Sequence, residues 1–396
     1  MKKFTSFIVP IISFLAICFL LFIFTFYVDG EMGIILVFFT FFAPISSTIL
    51  ALIGRNQIDV SIKNEIYVKK GNTANVKILL TKKSRLPIGF VEIHTDSSEN
   101  FSQNCKAYRT AASFSEKNEI IHQLNAVYGG YGFFSIKEIF ICDYLGFFKF
   151  RIKTPLPPAS NIGVIPEIPQ VSASTELFRT ISDIVITSDD EEEQDSSLAF
   201  SANTFPGYEH REYIEGDSLK RINWKVSTKR NKLMVRLDEA VSSVQPVIVF
   251  DLYREKQNNS KGAIIREERL YESVFGLLTL LIKQGIGCRF FYRDVSGNLC
   301  ERSVESDDML NQILFALLTV PVTTDNPIDY SKIDTGNACA VITAVPFLST
   351  DYATAIDNLK YKENGCIIVS DTINTTPLAS YDIWYMDENN NYKLVK

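Results

Sequence analysis

Between Gly207 and Glu239 the chain reads GYEHREYIEGDSLKRINWKVSTKRNKLMVRLDE. Arg211, Tyr213, Asp217, Arg221, Trp224, Lys225, Arg230 and Arg236 crowd acids, bases, a phenol and an indole into this short run. Such a set can do three things. Arg211, Glu212, Asp217 and Arg221 can tie the segment to its neighbours as an ion-pair network, with Trp224 packed as core. The same residues can present an arginine- and tryptophan-rich hot spot to a protein partner. Or Arg211, Asp217 and Arg221 can gather with Asp251 around one cleft and do acid–base chemistry. The third use lacks its usual companions. The chain has no G-x-x-x-x-G-K-[ST] phosphate loop and no G-x-S-x-G elbow. Its three histidines, His94, His122 and His210, are far apart in sequence, and the first two sit in strand-like runs. No residue is therefore assigned as catalytic.

The local pattern predicts a helix from Asp217 or Ser218, either of which can cap its N-terminus. Leu219, Ile222 and Val226 fall on one side, and Trp224 lies about 140° round from Leu219. Asn231 can end the helix, after which Leu233, Val235 and Leu237 alternate on one face of a strand.

The surrounding chain must position this run. After residue 240, strand and helix patterns alternate: PVIVFD (246–251), a helix at 267–285, GCRFFYR, a helix opening at Ser306 or Asp307, ACAVITAV, a helix from about 351, CIIVSD and IWYMD. That order predicts an α/β sheet with helices on both faces. Residues 57–160 instead show short period-two runs punctuated by glycine and asparagine, including YGGYG (128–132) and DYLGFF (143–148), and predict a small β-sandwich-like domain. A connector over 161–206 carries the acidic run TSDDEEEQDSS at 187–197.

The first 56 residues predict a two-helix transmembrane hairpin. Residues 6–28 and 32–54 are uncharged and long enough to cross a bilayer, with only DGE between the two helices. Lys2 and Lys3 precede the first span, and Arg55 and Lys63 follow the second, which places both ends and the soluble domains in the cytoplasm. Seven cysteines with no C-x-x-C pair suit a reducing compartment rather than a disulfide framework or zinc site. A net charge of −6 argues against general nucleic-acid binding.

The run quoted first resembles the signature of the bacterial domain-of-unknown-function-58 family, R-x-Y-x-x-G-D…R-I-D-W-K…R-x-G-x-L-x-V-R. Here it appears as Arg211, Tyr213, Gly216, Asp217, Arg221, Ile222, Asn223, Trp224, Lys225, Arg230, Leu233, Val235 and Arg236. Asn223 stands where the pattern has aspartate. The resemblance implies a membrane-anchored protein with a C-terminal domain like a von Willebrand factor A domain, working beside a MoxR-type AAA+ ATPase in assembling or maintaining a membrane or envelope complex. A von Willebrand A domain that holds Mg²⁺ carries D-x-S-x-S after its first strand. This chain has Asp251-Leu252-Tyr253-Arg254-Glu255, which keeps the first carboxylate but replaces the two serines with a phenol and a longer carboxylate and puts a cation in the loop. The metal site is thus expected to be degenerate, with Asp251 its one surviving ligand and more simply a strand-end cap. No cofactor is expected.

Overall fold

The chain starts with two helices because nothing in its first 54 residues interrupts an apolar run except Asp29-Gly30-Glu31. In the computed structural model, α1 spans Lys2–Tyr27 and α2 spans Gly30–Gly54. Asp29 stops one and starts the other: it is extended, and its carboxylate accepts from the N–H groups of Glu31 and Met32. Gly33 lets the two backbones close, since a Cβ there would lie 2.6 Å from Thr25 Cα. Gly30–Gly54 is long and apolar enough to cross a membrane, and Ile12–Tyr27 is a shorter apolar stretch.

The structure describes residues 2–84, 86–102, 105–111, 117–185, 204–213, 222–230, 232–240, 245–254, 261–323, 326–336, 338–359, 364–371 and 381–395, without the side chains of 2–11, 105, 204–211, 236–240 and 261. The acidic run at 187–197 lies outside the described residues. The chain forms two units: Met1–Glu167 with Ser260–Glu268 and Phe315–Pro321, and Ile168–Asn259 with Arg269–Leu314 and Val322–Lys396.

The first unit is a β-sandwich on the end of the hairpin. One sheet is antiparallel, in the order β1 (Ile58–Lys63), β3 (Thr73–Lys82), β6 (Lys117–Asn125). The other runs β2 (Tyr67–Lys69), β9 (Ser160–Ile165), β7 (Gly130–Cys142), β4 (Phe90–Ser97), β5 (Cys105–Ala111), with β8 (Lys149–Arg151) also on β7. Alternate residues such as Val76, Ile78 and Leu80 from one sheet and Val91, Ile93 and Ile141 from the other share one core. Ala51 of α2 belongs to that core too, so the last turn of the hairpin is part of the sandwich. One expectation changes here: residues 160–165, assigned to the connector from 161, are a strand of this unit. Seated between β2 and β7, β9 pairs with both.

The YGGYG turn is fixed by its backbone. Asn100 Nδ2 donates to the carbonyls of Tyr128 and Gly129, and Gly129 N–H donates to the buried Glu268 carboxylate at 2.7 Å. Lys70 Nζ meets the same carboxylate oxygen at 2.9 Å. Glu268→Ala strands that N–H and is expected to cost about 2 kcal/mol in chemical unfolding of the full chain, whereas Glu268→Gln, which keeps an acceptor, should cost less than half of that.

The second unit is built on a seven-stranded sheet, β14 (Leu299–Val304), β13 (Cys288–Arg293), β12 (Gln245–Phe250), β15 (Ala338–Val345), β16 (Gly365–Val369), β17 (Asp382–Met386), β18 (Tyr392–Leu394). The five central strands are parallel and both edges antiparallel. Alternation along β12 sends Val247 and Val249 to one face, where they join Tyr352 and Ile356 of the helix Thr350–Asp357. Phe250 goes to the other face, its ring 5.1 Å from that of Tyr271 on α5 (Lys261–Lys283). Helices therefore cover both faces, as expected. The edge strand β14 was not anticipated, because half of LCERSV is polar and exposed. A helix α3 at 176–185, also unforeseen, buries Leu177, Phe178 and Ile181.

Candidate functional site

Two places draw together residues with chemical potential. The first is the signature run. Strands β10 (Thr204–Glu212) and β11 (Met234–Ala240) form an antiparallel ribbon, with His210 opposite Arg236, Arg211 opposite Val235 and Glu212 opposite Met234. The helix between them, α4, covers only Trp224–Arg230. It does not start at Asp217 or Ser218, which lie outside the described residues, and Ile222 is extended, bridging Val235. The cap is Asn223: its Oδ1 accepts from Val226 N–H at 3.3 Å, and its carbonyl accepts from the N–H and hydroxyl of Ser227. Asparagine and aspartate cap helices about equally well, which gives the Asn223 departure from the family pattern a physical account.

Ser227 then clamps α4 to β11. It is buried, and its hydroxyl oxygen accepts from Met234 N–H at 2.8 Å while Asn223 N–H donates to Met234 O at 2.9 Å. On this fixed turn Trp224 is 63% exposed, and Lys225, Lys229 and Arg230 are exposed with it. The reading that packs Trp224 as core is thus corrected: of the two tryptophans, Trp384 in β17 is the buried one, at 4%. Leu233 is also exposed, because the strand begins one residue later and buries Met234 and Val235 instead. Tyr213 is half-buried, its N–H on the carbonyl of Leu233. Glu212 pairs with Lys232 at 2.5 Å on the surface. Asp217 and Arg221, and the side chains of Arg211 and Arg236, lie outside the description, and with them the proposed cleft with Asp251.

The second place is the carboxyl end of β12, where the sheet order reverses between β13 and β15. Open α/β sheets bind ligands at such a point. Asp251 sits there and is 1% exposed. Its Oδ2 accepts from Ile328 N–H at 2.7 Å, and Arg293 Nη2 lies 3.6 Å from Oδ1. The phenol of Tyr352 bridges the carbonyls of Asp251 and Tyr253 and accepts from Tyr253 N–H at 2.8 Å. Tyr330 OH is buried beside them without a hydrogen bond, as is Asp251 Oδ1. Burial pushes the Asp251 carboxyl up to about 6, with Arg293 and the Ile328 N–H pulling against it. Mg²⁺ needs a small shell of hard oxygen donors. Here one carboxylate faces a guanidinium among buried phenols, and this set does not fit the ion. Asp251 instead ties the strand end to the segment at Ile328.

Four other titratable groups among the described residues are paired or buried. His94 is bound to Glu92 at 3.0 Å on β4. His122, buried on β6 with Tyr108 OH at 2.6 Å, is pushed down to about 4 by burial and by Lys106, so it is neutral at pH 7. Burial lifts the thiols of Cys288 and Cys366 to about 12, which makes them unreactive.

Comparison with known proteins agrees with the signature. Residues 209–365 match the family described as "Protein of unknown function DUF58", which supports the resemblance read from the signature. No curated protein matches. Among solved structures, the chain is similar to a CARDB domain from Pyrococcus furiosus (9% identity, 28% of this chain and 94% of that one, TM-score 0.22). It is likewise similar to a cohesin module of a Clostridium perfringens glycoside hydrolase (7%, 28% and 99%, TM-score 0.24) and to Escherichia coli alpha-2-macroglobulin (13%, 38% and 29%, TM-score 0.22). At such TM-scores these likenesses carry no argument.

Proposed function

We propose that this protein is a membrane-tethered docking platform whose soluble domains face the cytoplasm. The observation that carries the reading is the exposed Trp224, held on a turn that Asn223 and Ser227 make rigid and flanked by Lys225, Lys229 and Arg230. A large, fixed aromatic with cations around it is what interface hot spots are made of, because little entropy is lost when a partner covers it.

The other parts fit that role. Both apolar helices act as spans, and the basic residues at 2, 3, 55 and 63 against the acids at 29 and 31 set the orientation. The second unit is read as a von Willebrand A-like domain: its first strand is central, and its third is an antiparallel edge. With Arg293 beside Asp251 in place of a metal, recognition passes from the strand ends to the α4 turn. The partner is proposed, from the family resemblance, to be a MoxR-type AAA+ ATPase, which the anchor would hold at high effective concentration beside a membrane complex.

The test is binding of a purified MoxR-type ATPase to the full chain in nanodiscs. The double variant Trp224→Ala/Lys225→Glu should weaken binding about thirtyfold, roughly 2 kcal/mol, with unchanged thermal unfolding. Equal affinity for both forms would remove α4 from the docking surface.

A further inference from the structure

The turn joining β7 to β8, Asp143–Phe148, is used by neither candidate site. It carries Tyr144, Leu145, Phe147 and Phe148, and three of these are exposed at 38%, 48% and 44%. Its backbone, by contrast, is closed on itself. Asp143 is fully buried, and its two carboxylate oxygens accept from the N–H groups of Leu145 at 3.2 Å and Phe148 at 2.8 Å. Tyr144 N–H donates to Ser47 Oγ of α2 at 2.7 Å, Gly146 N–H to Asp143 O, and Asp143 N–H to Phe148 O. Gly146, at φ +76°, turns the chain. Five of the six backbone N–H groups of the turn thus have partners within the protein while apolar side chains face outward, an arrangement that suits a low-dielectric surrounding.

Position along the helices gives the same answer. A hydrocarbon core of about 30 Å takes about 20 helical residues at 1.5 Å each. Counted from Gly30, where Asp29 caps α2, that reaches to about residue 49. Ser47 is inside it. Phe14 of α1 is deeper, level with Phe41 of α2, its ring 6.0 Å away, and the Phe147 ring meets Phe14 edge-on at 5.7 Å. Arg55 follows α2, and the Arg109 side chain lies beside Gly146 with its guanidinium over Phe90 at 4.5 Å. Arg109 is exposed, and Arg55 is half-buried with its Nε donating to the Arg151 carbonyl at 3.0 Å.

We propose that Asp143–Phe148 is a re-entrant wedge that inserts Tyr144, Leu145, Phe147 and Phe148 among the acyl chains of the cytoplasmic leaflet. Arg55 and Arg109 meet the headgroup phosphates at its rim. The sandwich is thereby held against the bilayer by a second contact besides the hairpin. This inference rests on the two-span reading, and its test separates the two.

The full chain is reconstituted into phosphatidylcholine/phosphatidylglycerol vesicles whose acyl chains are brominated either at carbons 6,7 or at carbons 11,12. Leu145→Trp reports on the wedge, and Phe39→Trp, on an exposed mid-helix position of α2, reports on the span. The added emission of Leu145→Trp over the parent chain should fall about twofold in the 6,7-brominated vesicles, and less in the 11,12-brominated ones; that of Phe39→Trp should fall most in the 11,12-brominated vesicles. Quenching at Phe39→Trp without any at Leu145→Trp would overturn the wedge and leave the spans. Quenching at neither would overturn both.

Discussion

Arg293→Met is expected to destabilise the second unit by about 3–5 kcal/mol at pH 8, the usual cost of removing one partner from a buried charge pair. Asp251 is 1% exposed, and Arg293 is the cation beside its unbonded oxygen. The loss should depend on pH. Already in the parent chain the folded carboxyl is raised from 3.8 to about 6, so it holds its proton more tightly when folded. The stability this confers is complete below about 3.8 and is lost as pH rises through about 6. Without the guanidinium the folded carboxyl moves higher still. The gap between parent and variant should therefore shrink to under about half at pH 5, where the carboxyl is neutral in the folded variant. Urea unfolding of the detergent-solubilised chain, followed through Trp384 in a Trp224→Phe background, reads it directly. A loss equal at both pH values would mean that Arg293 acts by packing and by its bond to Asn326 O at 2.6 Å, and not by its charge.

The second large effect is at the hairpin. Gly33→Leu should cost about 3 kcal/mol or more, because overpacking against backbone cannot be relieved by a rotamer change. A Cβ at Gly33 would sit 2.6 Å from Thr25 Cα and 2.7 Å from Thr25 Cβ. Even Gly33→Ala should weaken the pair, and Thr25→Gly should not restore it, since the Cα remains. The readout is unfolding of the full chain by sodium dodecyl sulfate in dodecylmaltoside micelles. Transitions at the same detergent fraction for all three variants would show that the helices tolerate a wider separation.

How far the sequence predicted this structure depended on what each residue had to satisfy. Long apolar runs and period-two alternation are one-dimensional signals, so the paired N-terminal helices, most sandwich strands and the buried strands β12, β15 and β16 were legible. Polar edge strands were not: β14 exposes three of its six residues, and its place is set by pairing with β13 rather than by its own pattern. The start of α4 was misread because helical spacing from Leu219 to Val226 looked continuous. Asn223 instead spends its carbonyl and side chain on a cap, and Ile222 bridges a strand.

The site was legible in part. Trp224 was marked by an angle measured on a helix running from Leu219, but it is exposed because it opens the α4 turn that Asn223 caps. Asp251 was read as a strand-end cap from the missing serines. Arg293 carried no signal, because it comes from the neighbouring strand and only the sheet order brings it to Asp251.

The claim that α4 is a docking surface for an ATPase is tested most directly by placing a photocrosslinking p-benzoylphenylalanine at position 224 and irradiating native membranes. The account predicts a crosslink to a MoxR-type AAA+ ATPase from position 224, and a much weaker one from Val295, which is equally exposed at 63% but lies on another loop. A crosslink from Val295 and none from position 224, or no ATPase at either, would contradict it.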